Sequence, residues 1–330
     1  MARIPGIVSS LIDTALDVTV APGYTSLGYR LRSHGWDALP RMDGKVVLVT
    51  GATAGLGRAA AEGFAALGAS VRMLARDAGR GEEARAAIAR ASGNDDVRVA
   101  LGDMSDLASV RRFAEEFLAA EERLDVLVNN AGILPQERTL SPDGNELAFA
   151  TNVLGPFLLT ELLLPLLRAS APSRIVNVSS GGMYTERIRV DDLQTERLDF
   201  DGPAVYARTK RAQVILTELL AERLAGTGVV VHAMHPGWAD TPGVQSSLPR
   251  FHTLTKPFLR NAEQGADTIL WLGAADEPAQ SSGGFWHDRR RRPTHRLPST
   301  RETPADRLAL WEACERLSGL TASDHERGAA

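Results

Sequence analysis

Tyr206 and Lys210, four residues apart, are the pair of side chains most able to do chemistry together. On a helix such a pair shares one face. A phenol with a pKa of about 10 is a poor acid–base group at neutral pH, but a fixed ammonium beside it favours the phenolate. With four tyrosines and three lysines in 330 residues, a Tyr-x3-Lys pair is expected by chance only about 0.04 times. The pair therefore predicts proton transfer by Tyr206, with Lys210 lowering the pKa of its hydroxyl.

A glycine-rich turn, residues 50–57, lies between a predicted buried strand (46–49) and a predicted helix. Its glycines let the backbone approach a pyrophosphate closely, and the first turn of the helix supplies N–H donors and positive potential. The spacing is G-x3-G-x-G, which differs from G-x-G-x-x-G and indicates a variant of the dinucleotide-binding fingerprint. We therefore expect this turn to hold the phosphates of a dinucleotide.

An arginine, Arg76, stands at the end of the next predicted strand, and Arg58 follows the glycine turn. An acidic residue at that strand end would bind both ribose hydroxyls of NAD, whereas a guanidinium suits the 2′-phosphate of NADP. The alternative is that both are ordinary surface arginines of an arginine-rich chain. The sequence favours NADP and leaves NAD open.

Small or polar residues also follow the later predicted strands. Asp103 follows the third strand, Asn130 to Gly132 follow the fourth, and Ser180 ends the fifth. Ligands of open α/β sheets bind at the carboxyl ends of the strands. Each of these residues alone could be turn chemistry, but together they predict a cofactor cleft.

The elements that must position these residues fill the chain from Lys45 to about Phe285, where apolar runs alternate with helical patterns. This alternation predicts an α/β protein, a doubly wound Rossmann-type three-layer fold with a parallel sheet of about seven strands. The predicted strands are 46–49, 70–75, 97–101, 124–128, 175–178, 229–234 and 284–286. We expect an N-terminal extension (1–43, helical), a catalytic domain (44–288) and a C-terminal tail with a short helix (289–330).

The composition excludes several other classes of protein. The net charge of −4 and the absence of a dominant basic surface give no reason to expect nucleic-acid binding. The single cysteine, Cys314, allows no internal disulfide. We see no apolar run of the roughly 18 residues that a membrane span needs, no signal peptide and no metal-binding pattern. We therefore expect a cytoplasmic enzyme without a metal, and leave open whether it forms a homo-oligomer.

The N-terminal extension carries apolar residues at helical spacing between Ile4 and Leu16. We favour a helix packed on the domain or on a partner subunit. The alternative is a helix at a membrane surface. Its polar face would carry Ser9, Ser10, Asp13 and Asp17 and no lysine, which suits anionic lipid poorly.

Taken together, these motifs resemble the short-chain dehydrogenase/reductase family over residues 45–286. The long interval between Ser180 and Tyr206 is similar to that of its retinol-dehydrogenase-like branch. The resemblance rests on residues 50–57, 129–132, 151–152, 178–180, the pair Tyr206 and Lys210, and Pro236-Gly237 with Thr241. It implies an oxidoreductase that transfers a hydride between a nicotinamide dinucleotide and a carbonyl or alcohol.

The resemblance also implies roles for single residues. Tyr206 would be the general acid/base, and Lys210 would hold the nicotinamide ribose. Ser180 would bind the substrate oxygen, Asn152 would position a water, and Thr241 would contact the carboxamide. The residues expected to contact the cofactor are Gly51, Thr53, Gly55, Leu56, Gly57, Arg58, Arg76, Asp103, Met104, Asn130, Ala131, Gly132, Tyr206, Lys210, Pro236, Gly237 and Thr241.

The substrate is less defined than the chemistry. The segment 238–261 is rich in apolar residues, which suits an apolar or lipid-like carbonyl or alcohol, and would equally suit a loop that packs on the domain. The main alternative function is a catalytically silent dinucleotide-binding scaffold or regulator on the same fold. A sugar-nucleotide epimerase or dehydratase is disfavoured, because only about 45 residues follow the last predicted strand.

Overall fold

The computed structural model describes residues 13, 16–17, 20–240, 245, 252–253 and 255–320. Its centre is one eight-stranded sheet in the order β3-β2-β1-β4-β5-β6-β7-β8. The first seven strands pair in parallel, and β8 pairs with β7 antiparallel. The strands are β1 Val46–Thr50, β2 Ser70–Ala75, β3 Val97–Leu101, β4 Val126–Asn129, β5 Ser173–Val178, β6 Val229–Met234, β7 Gly284–His287 and β8 Arg290–Arg292. The predicted doubly wound α/β fold is thus confirmed.

The eighth strand is the main difference from the predicted sheet. β8 is a run of three arginines within residues 289–330, the segment expected from the sequence to be a C-terminal tail. The chain turns back after β7 through Asp288 and Arg289, whose φ angles are 51° and 56°. The sheet therefore extends past residue 288, where the sequence analysis placed the end of the domain. Arg292 is buried in it because Asp13 supplies a counter-charge.

Two helical layers cover the faces of the sheet. Along β1, Leu48 packs into a cluster with one set of helices, while Val47 and Val49 pack into a cluster with the other set. This alternation is what a parallel sheet buried on both faces requires. The helices are α1 Val20–Tyr24, α2 Ser26–Ser33, α3 Gly55–Ala66, α4 Ala78–Ser92, α5 Leu107–Ala120, α6 Leu147–Ala169, α7 Gly202–Arg223, α8 Ala262–Ala274 and α9 Pro304–Ser318.

α6 is interrupted by a π-helical turn, Ala150–Leu154, just before Gly155 and Pro156. Pro156 has no N–H to donate, which disfavours a regular helix at this point. Among the described residues, α6 is the one helix long and apolar enough to cross a membrane, with a mean hydropathy of 1.6. Because 89% of its apolar window is buried inside the protein, α6 is a core helix of this fold.

The helix of the C-terminal tail, α9, packs on the domain. Thr303 and Asp306 form a capping box at its start. Trp311 is 2% exposed, lies edge-on to Phe157 of α6, and has the Arg223 guanidinium 3.8 Å above its ring. The tail helix therefore completes the hydrophobic layer formed by α6 and α7.

Candidate active site

The glycine turn after β1 is closely packed and is held by the side chain of Asn130. Gly51 and Gly55 have φ angles of +66° and +53°, which glycine adopts without strain. A Cβ at Gly57 would lie 2.3 Å from the Gly51 carbonyl oxygen and 2.4 Å from Asn130 Nδ2. Asn130 Nδ2 donates to the Thr50 carbonyl at 2.8 Å. Asn130, a predicted cofactor contact, thus braces the turn itself.

The turn leads directly into the N-terminus of α3. The N-cap residue, Ala54, makes no side-chain hydrogen bond to the first turn, so the amides of Gly55 to Gly57 have no side-chain acceptor at their end of the helix. Free N–H groups and the helix dipole at such an end favour an anion. Thr53 and Leu56, both half-buried, flank this position. The geometry fits the phosphates of a dinucleotide.

Arg58 and Arg76 are both exposed. Within the described part of the chain, neither guanidinium has an ion pair or a hydrogen bond. Asp77, beside Arg76, is occupied as the N-cap of α4, where its Oδ1 accepts from Arg80 N at 2.7 Å. The acidic residue nearest the β2 end is therefore used for capping, while Arg76 is available to an anionic ligand.

The next predicted contacts lie on the loops after β3 and β4. Asp103 Oδ1 accepts hydrogen bonds from the backbone N and the hydroxyl of Ser105, at 2.9 and 2.7 Å. Met104 is buried, and a Cβ at Gly155 would lie 2.1 Å from its carbonyl oxygen. Asp103 and Met104 thus shape the loop that they belong to, and their predicted contacts with the cofactor stay predictions.

Lys210 is buried in the middle of α7, with 3% exposure. Its Nζ donates to the Val178 carbonyl at 2.8 Å and to Gln213 Oε1 at 3.1 Å, and lies 5.5 Å from the centroid of the Tyr206 ring. Burial lowers the pKa of Lys210 to about 7, because desolvation disfavours the charged amine. The pair that the sequence singled out is therefore brought together on one helix face.

Tyr206 itself differs from the sequence expectation in one respect. Burial raises the pKa of its phenol above the usual value, and a hydrogen bond with Ser180 opposes that rise. The expectation that Lys210 lowers this pKa is not met by the protein's own residues. The reason is that Lys210 donates its hydrogen bonds to Val178 and Gln213, and that burial lowers the pKa of Lys210 itself and so disfavours the charged amine.

Asn152 lies within the π-helical turn and is fully buried. Its Oδ1 accepts from Ile133 N at 2.8 Å, and its Nδ2 donates to the Ile133 carbonyl and to Thr209 Oγ1, both at 2.9 Å. Pro156, four residues on, has no N–H for the Asn152 carbonyl. A Cβ at Gly132 would lie 3.3 Å from both Asn152 Oδ1 and Lys210 Nζ, so Gly132, a predicted cofactor contact, adjoins two predicted catalytic residues.

Sequence reasoning missed the residues that support this group. Gln213 is 4% exposed and its Nε2 donates to the Asn152 carbonyl at 2.7 Å. Ser179 Oγ donates to the Lys210 carbonyl at 2.8 Å, and Thr209 Oγ1 donates to the Tyr206 carbonyl at 2.8 Å. The signal for Gln213 was present, because residues i and i+3 share a helix face and Gln213 is three residues after Lys210.

The N-terminal segment reaches the loops beside this group. The Tyr24 carbonyl accepts from Trp238 N at 2.8 Å and from Arg260 Nε at 3.0 Å. A Cβ at Gly237, whose φ is +75°, would lie 2.8 Å from that carbonyl oxygen. The Tyr24 ring lies against Gly181, where a Cβ would be 2.7 Å from Cε2. The segment thus supports both the loop after Ser180 and the Pro-Gly loop after β6, while Thr241 lies outside the described residues.

A buried set of charges, which we call the Asp288 network, fastens this segment. It consists of Asp288, Arg260, Arg32, Asp13 and Arg292. Asp288 accepts from Arg260 at 2.5 and 2.8 Å and from Arg32 Nη1 at 2.8 Å, and Asp13 pairs with Arg32 and Arg292. The sequence analysis placed Asp13 on a polar outer face; the structure buries it, because arginines distant in sequence supply the counter-charge.

Two groups of known proteins are similar to this chain in sequence. The sequence model of the family described as short chain dehydrogenase matches residues 45–250. Dehydrogenase/reductase SDR family member 12 of Bos taurus is 43% identical over 300 residues, which cover 89% of this chain and 94% of that protein. Retinol dehydrogenase 12 of Homo sapiens is 41% identical over 283 residues, which cover 85% and 88%.

Solved structures show the same likeness in fold. A crystal structure of an uncharacterised protein from Mycobacterium paratuberculosis has a TM-score of 0.69 and 32% identity, and covers 86% of this chain and 98% of its own. A protein of Beutenbergia cavernae, described as an NAD(P)-dependent gluconate 5-dehydrogenase with bound NADP at low occupancy, has a TM-score of 0.62 and 28% identity, covering 75% and 96%.

Proposed function

The chain belongs to the short-chain dehydrogenase/reductase family, and we propose that it transfers a hydride between NADPH and an apolar carbonyl or alcohol, with Tyr206 exchanging the proton. At the coarser level it is an NAD(P)-dependent oxidoreductase that acts on CH–OH groups. The observation that carries the proposal is the position of Tyr206, which is hydrogen-bonded with Ser180 and has Lys210 Nζ 5.5 Å from its ring centroid.

The residues present fit a dinucleotide, because the uncapped end of α3 and the close approach at Gly57 form a cradle for phosphate. When bound, the dinucleotide supplies or accepts the hydride. Gly132 adjoins Lys210 Nζ. Lys210 has one ammonium proton left for a ribose hydroxyl after its bonds to Val178 and Gln213.

In this proposal Tyr206 acts as the acid in reduction. A substrate oxygen between Ser180 Oγ and the Tyr206 hydroxyl would receive a hydrogen bond from the serine and the proton from the phenol, as the carbonyl carbon gains the hydride. The phenol is protonated at neutral pH, because burial raises its pKa further above neutrality, and a protonated phenol is the form that donates in reduction. A bound cofactor and substrate would have to lower this pKa for efficient transfer. Alcohol oxidation would run the same transfer in reverse.

Two features support the finer assignments. Arg76 directly follows β2, Arg58 lies in the first turn of α3, and both residues are exposed, which favours a 2′-phosphate over a free ribose hydroxyl. For the substrate, Trp238 is half-buried, Ala239 is buried and the ring of Phe258 is exposed in the described parts of 238–261. An apolar carbonyl suits such an apolar segment, and relatives are named as retinol dehydrogenases.

Replacing Tyr206 by Phe tests the proposal, because it removes only the hydroxyl. We expect NADPH binding, measured by nicotinamide fluorescence, to survive while turnover of any accepted carbonyl falls by roughly 100-fold or more. Tyr184→Phe is the matched control, since it also removes only a phenol hydroxyl, and that hydroxyl donates to the Pro293 carbonyl. Near-parent turnover by the Tyr206 variant would contradict the assignment. NADPH binding by a parent that consumes no NADPH with any carbonyl of a broad panel would instead favour a silent dinucleotide-binding protein.

A further inference from the structure

The Gln213 side chain forms hydrogen bonds with two residues of the predicted catalytic set, Lys210 and Asn152. Its Oε1 accepts from Lys210 Nζ at 3.1 Å, and its Nε2 donates to the Asn152 carbonyl at 2.7 Å. All three residues are buried, with exposures of 4%, 3% and 0%. A carboxamide has one acceptor oxygen and donor hydrogens on its nitrogen, so this single side chain satisfies both neighbours with the correct polarity.

Two buried groups need hydrogen-bond partners at this place: the Asn152 carbonyl in the π-helical turn and the Lys210 ammonium. Pro156 leaves the Asn152 carbonyl without the N–H that a regular helix would supply, and an unpaired buried carbonyl is costly. The Lys210 ammonium is likewise removed from water and needs acceptors. Of its three protons, Val178 takes one and Gln213 a second.

We propose that Gln213 is a positioning residue, which bridges the Lys210 ammonium and the Asn152 carbonyl and leaves the remaining proton of Lys210 for a ribose hydroxyl of the cofactor. The inference rests on the proposed function of Tyr206 and Lys210 for its catalytic meaning. A neutral amide suits this place because it orients the cation without cancelling its charge. A carboxylate there would neutralise Lys210, and an apolar side chain would leave both neighbours unpaired.

The hydrogen-bonding groups of Asn152 are all occupied by protein atoms. Both Nδ2 donors, Oδ1 and the carbonyl of this residue contact protein atoms. Lys210 therefore reaches the Asn152 carbonyl through the Gln213 amide. The buried Gln213 side chain thus links Lys210 to the π-helical turn.

The scarcity of lysine makes a direct test practicable. The chain has three lysines, Lys45, Lys210 and Lys256, so protein labelled with ¹³C at lysine Cε gives three resolvable signals, and Lys45→Arg and Lys256→Arg assign them. In the parent we expect Lys210 to titrate at about 7, against roughly 10.4 for an exposed lysine. Gln213→Glu should raise this pKa by more than one pH unit, and Gln213→Met should lower it.

Kinetics supply the second readout. Gln213→Met should lower kcat roughly 10- to 100-fold, because a loosened ammonium no longer fixes its partners, and should change the KM for the carbonyl less than threefold. Thr217→Val is the matched control: Thr217 is 1% exposed on the same helix, bonded to the Gln213 carbonyl and to Asn177 Nδ2. It should lower thermal stability while leaving the Lys210 titration and kcat unchanged.

A Lys210 titration that is the same in the parent and in both Gln213 variants would overturn the proposal. So would a kcat of Gln213→Met within twofold of the parent. A parent that reduces no carbonyl would refute the proposed function instead, and the lysine signals would still decide whether Gln213 holds Lys210.

Discussion

The Asp288 network makes a strong prediction about stability. Asp288 is 2% exposed, and its carboxylate accepts two hydrogen bonds from Arg260 and one from Arg32. Asp288→Asn keeps the shape of the side chain but removes its charge and turns one oxygen into an NH2 donor. That donor would face a guanidinium donor, and the buried charge of Arg260 would lose its counter-ion.

The size of the effect follows from these contacts. Hydrogen bonds to charged groups contribute about 1.5–3 kcal/mol each, and Asp288 accepts three. The new amide retains one acceptor oxygen, and Arg32 keeps its bond to Asp13 at 2.8 Å, so about half of the total is lost. We therefore expect a loss of about 2–4.5 kcal/mol in the free energy of unfolding, which overlaps the range of about 3–5 kcal/mol found when one partner of a buried ion pair is removed.

Urea denaturation at pH 7, followed by circular dichroism, measures this loss. Asp43→Asn is the matched control, because Asp43 also pairs with an arginine, Arg41, but both side chains are exposed; it should leave the denaturation midpoint unchanged. A loss below about 1 kcal/mol for Asp288→Asn, with an unchanged dependence on urea, would refute the view that this network fastens the N-terminal segment.

The pH dependence gives a further check with a defined sign. Burial alone would raise the pKa of Asp288, but the guanidiniums of Arg260 and Arg32 hold it below its usual value of 3.8. A depressed carboxyl pKa stabilises the fold above the unfolded-state pKa, and that contribution is lost as the pH falls through the folded-state pKa. The difference between parent and Asp288→Asn should therefore stay constant from about pH 5 to 8 and shrink below about pH 4.

Two further predictions concern ligands. Arg76→Asp should weaken NADPH binding roughly 10-fold or more and NADH binding much less. The control Arg90→Asp, which changes an exposed arginine on α4, should alter neither affinity. Equal affinities of the parent for the two cofactors in a fluorescence titration would refute this cofactor assignment. In liposome flotation with anionic vesicles the protein should stay in the aqueous fraction, because Leu16 and Asp13 are buried and Asp17 pairs with Arg296; co-flotation that is abolished by deleting residues 1–20 would show that the extension is a lipid anchor.

The Asp288 network also changes how the N-terminal extension is understood. From the sequence, residues 1–43 are expected to be an extension outside the catalytic domain. In the structure, Gly23 and Tyr24 present backbone carbonyls to Arg32 and Arg260, and Tyr24 contacts the Pro-Gly loop. Removing this segment would leave buried arginine donors without acceptors. The extension is thus part of the framework beside the candidate active site.

Local patterns in the sequence were sufficient for the doubly wound sheet, the glycine turn and the Tyr206–Lys210 pair. Each depends on residues within one turn of helix or one strand, where spacing alone decides which side chains share a face. The break in α6 was predictable for the same reason, because Gly155 and Pro156 disrupt regular helical hydrogen bonding wherever they occur.

Tertiary structure alone decided features that join distant parts of the chain. Asp13 and Arg292 are 279 residues apart, and Arg32 and Asp288 are 256 apart, so no periodicity indicated that these charges would be buried together. The burial of Arg292 in the eighth strand depended on the same pairing, since a buried guanidinium is costly without a counter-charge. The pKa of Tyr206 followed burial rather than sequence proximity to Lys210, because desolvation is set by everything packed around a group.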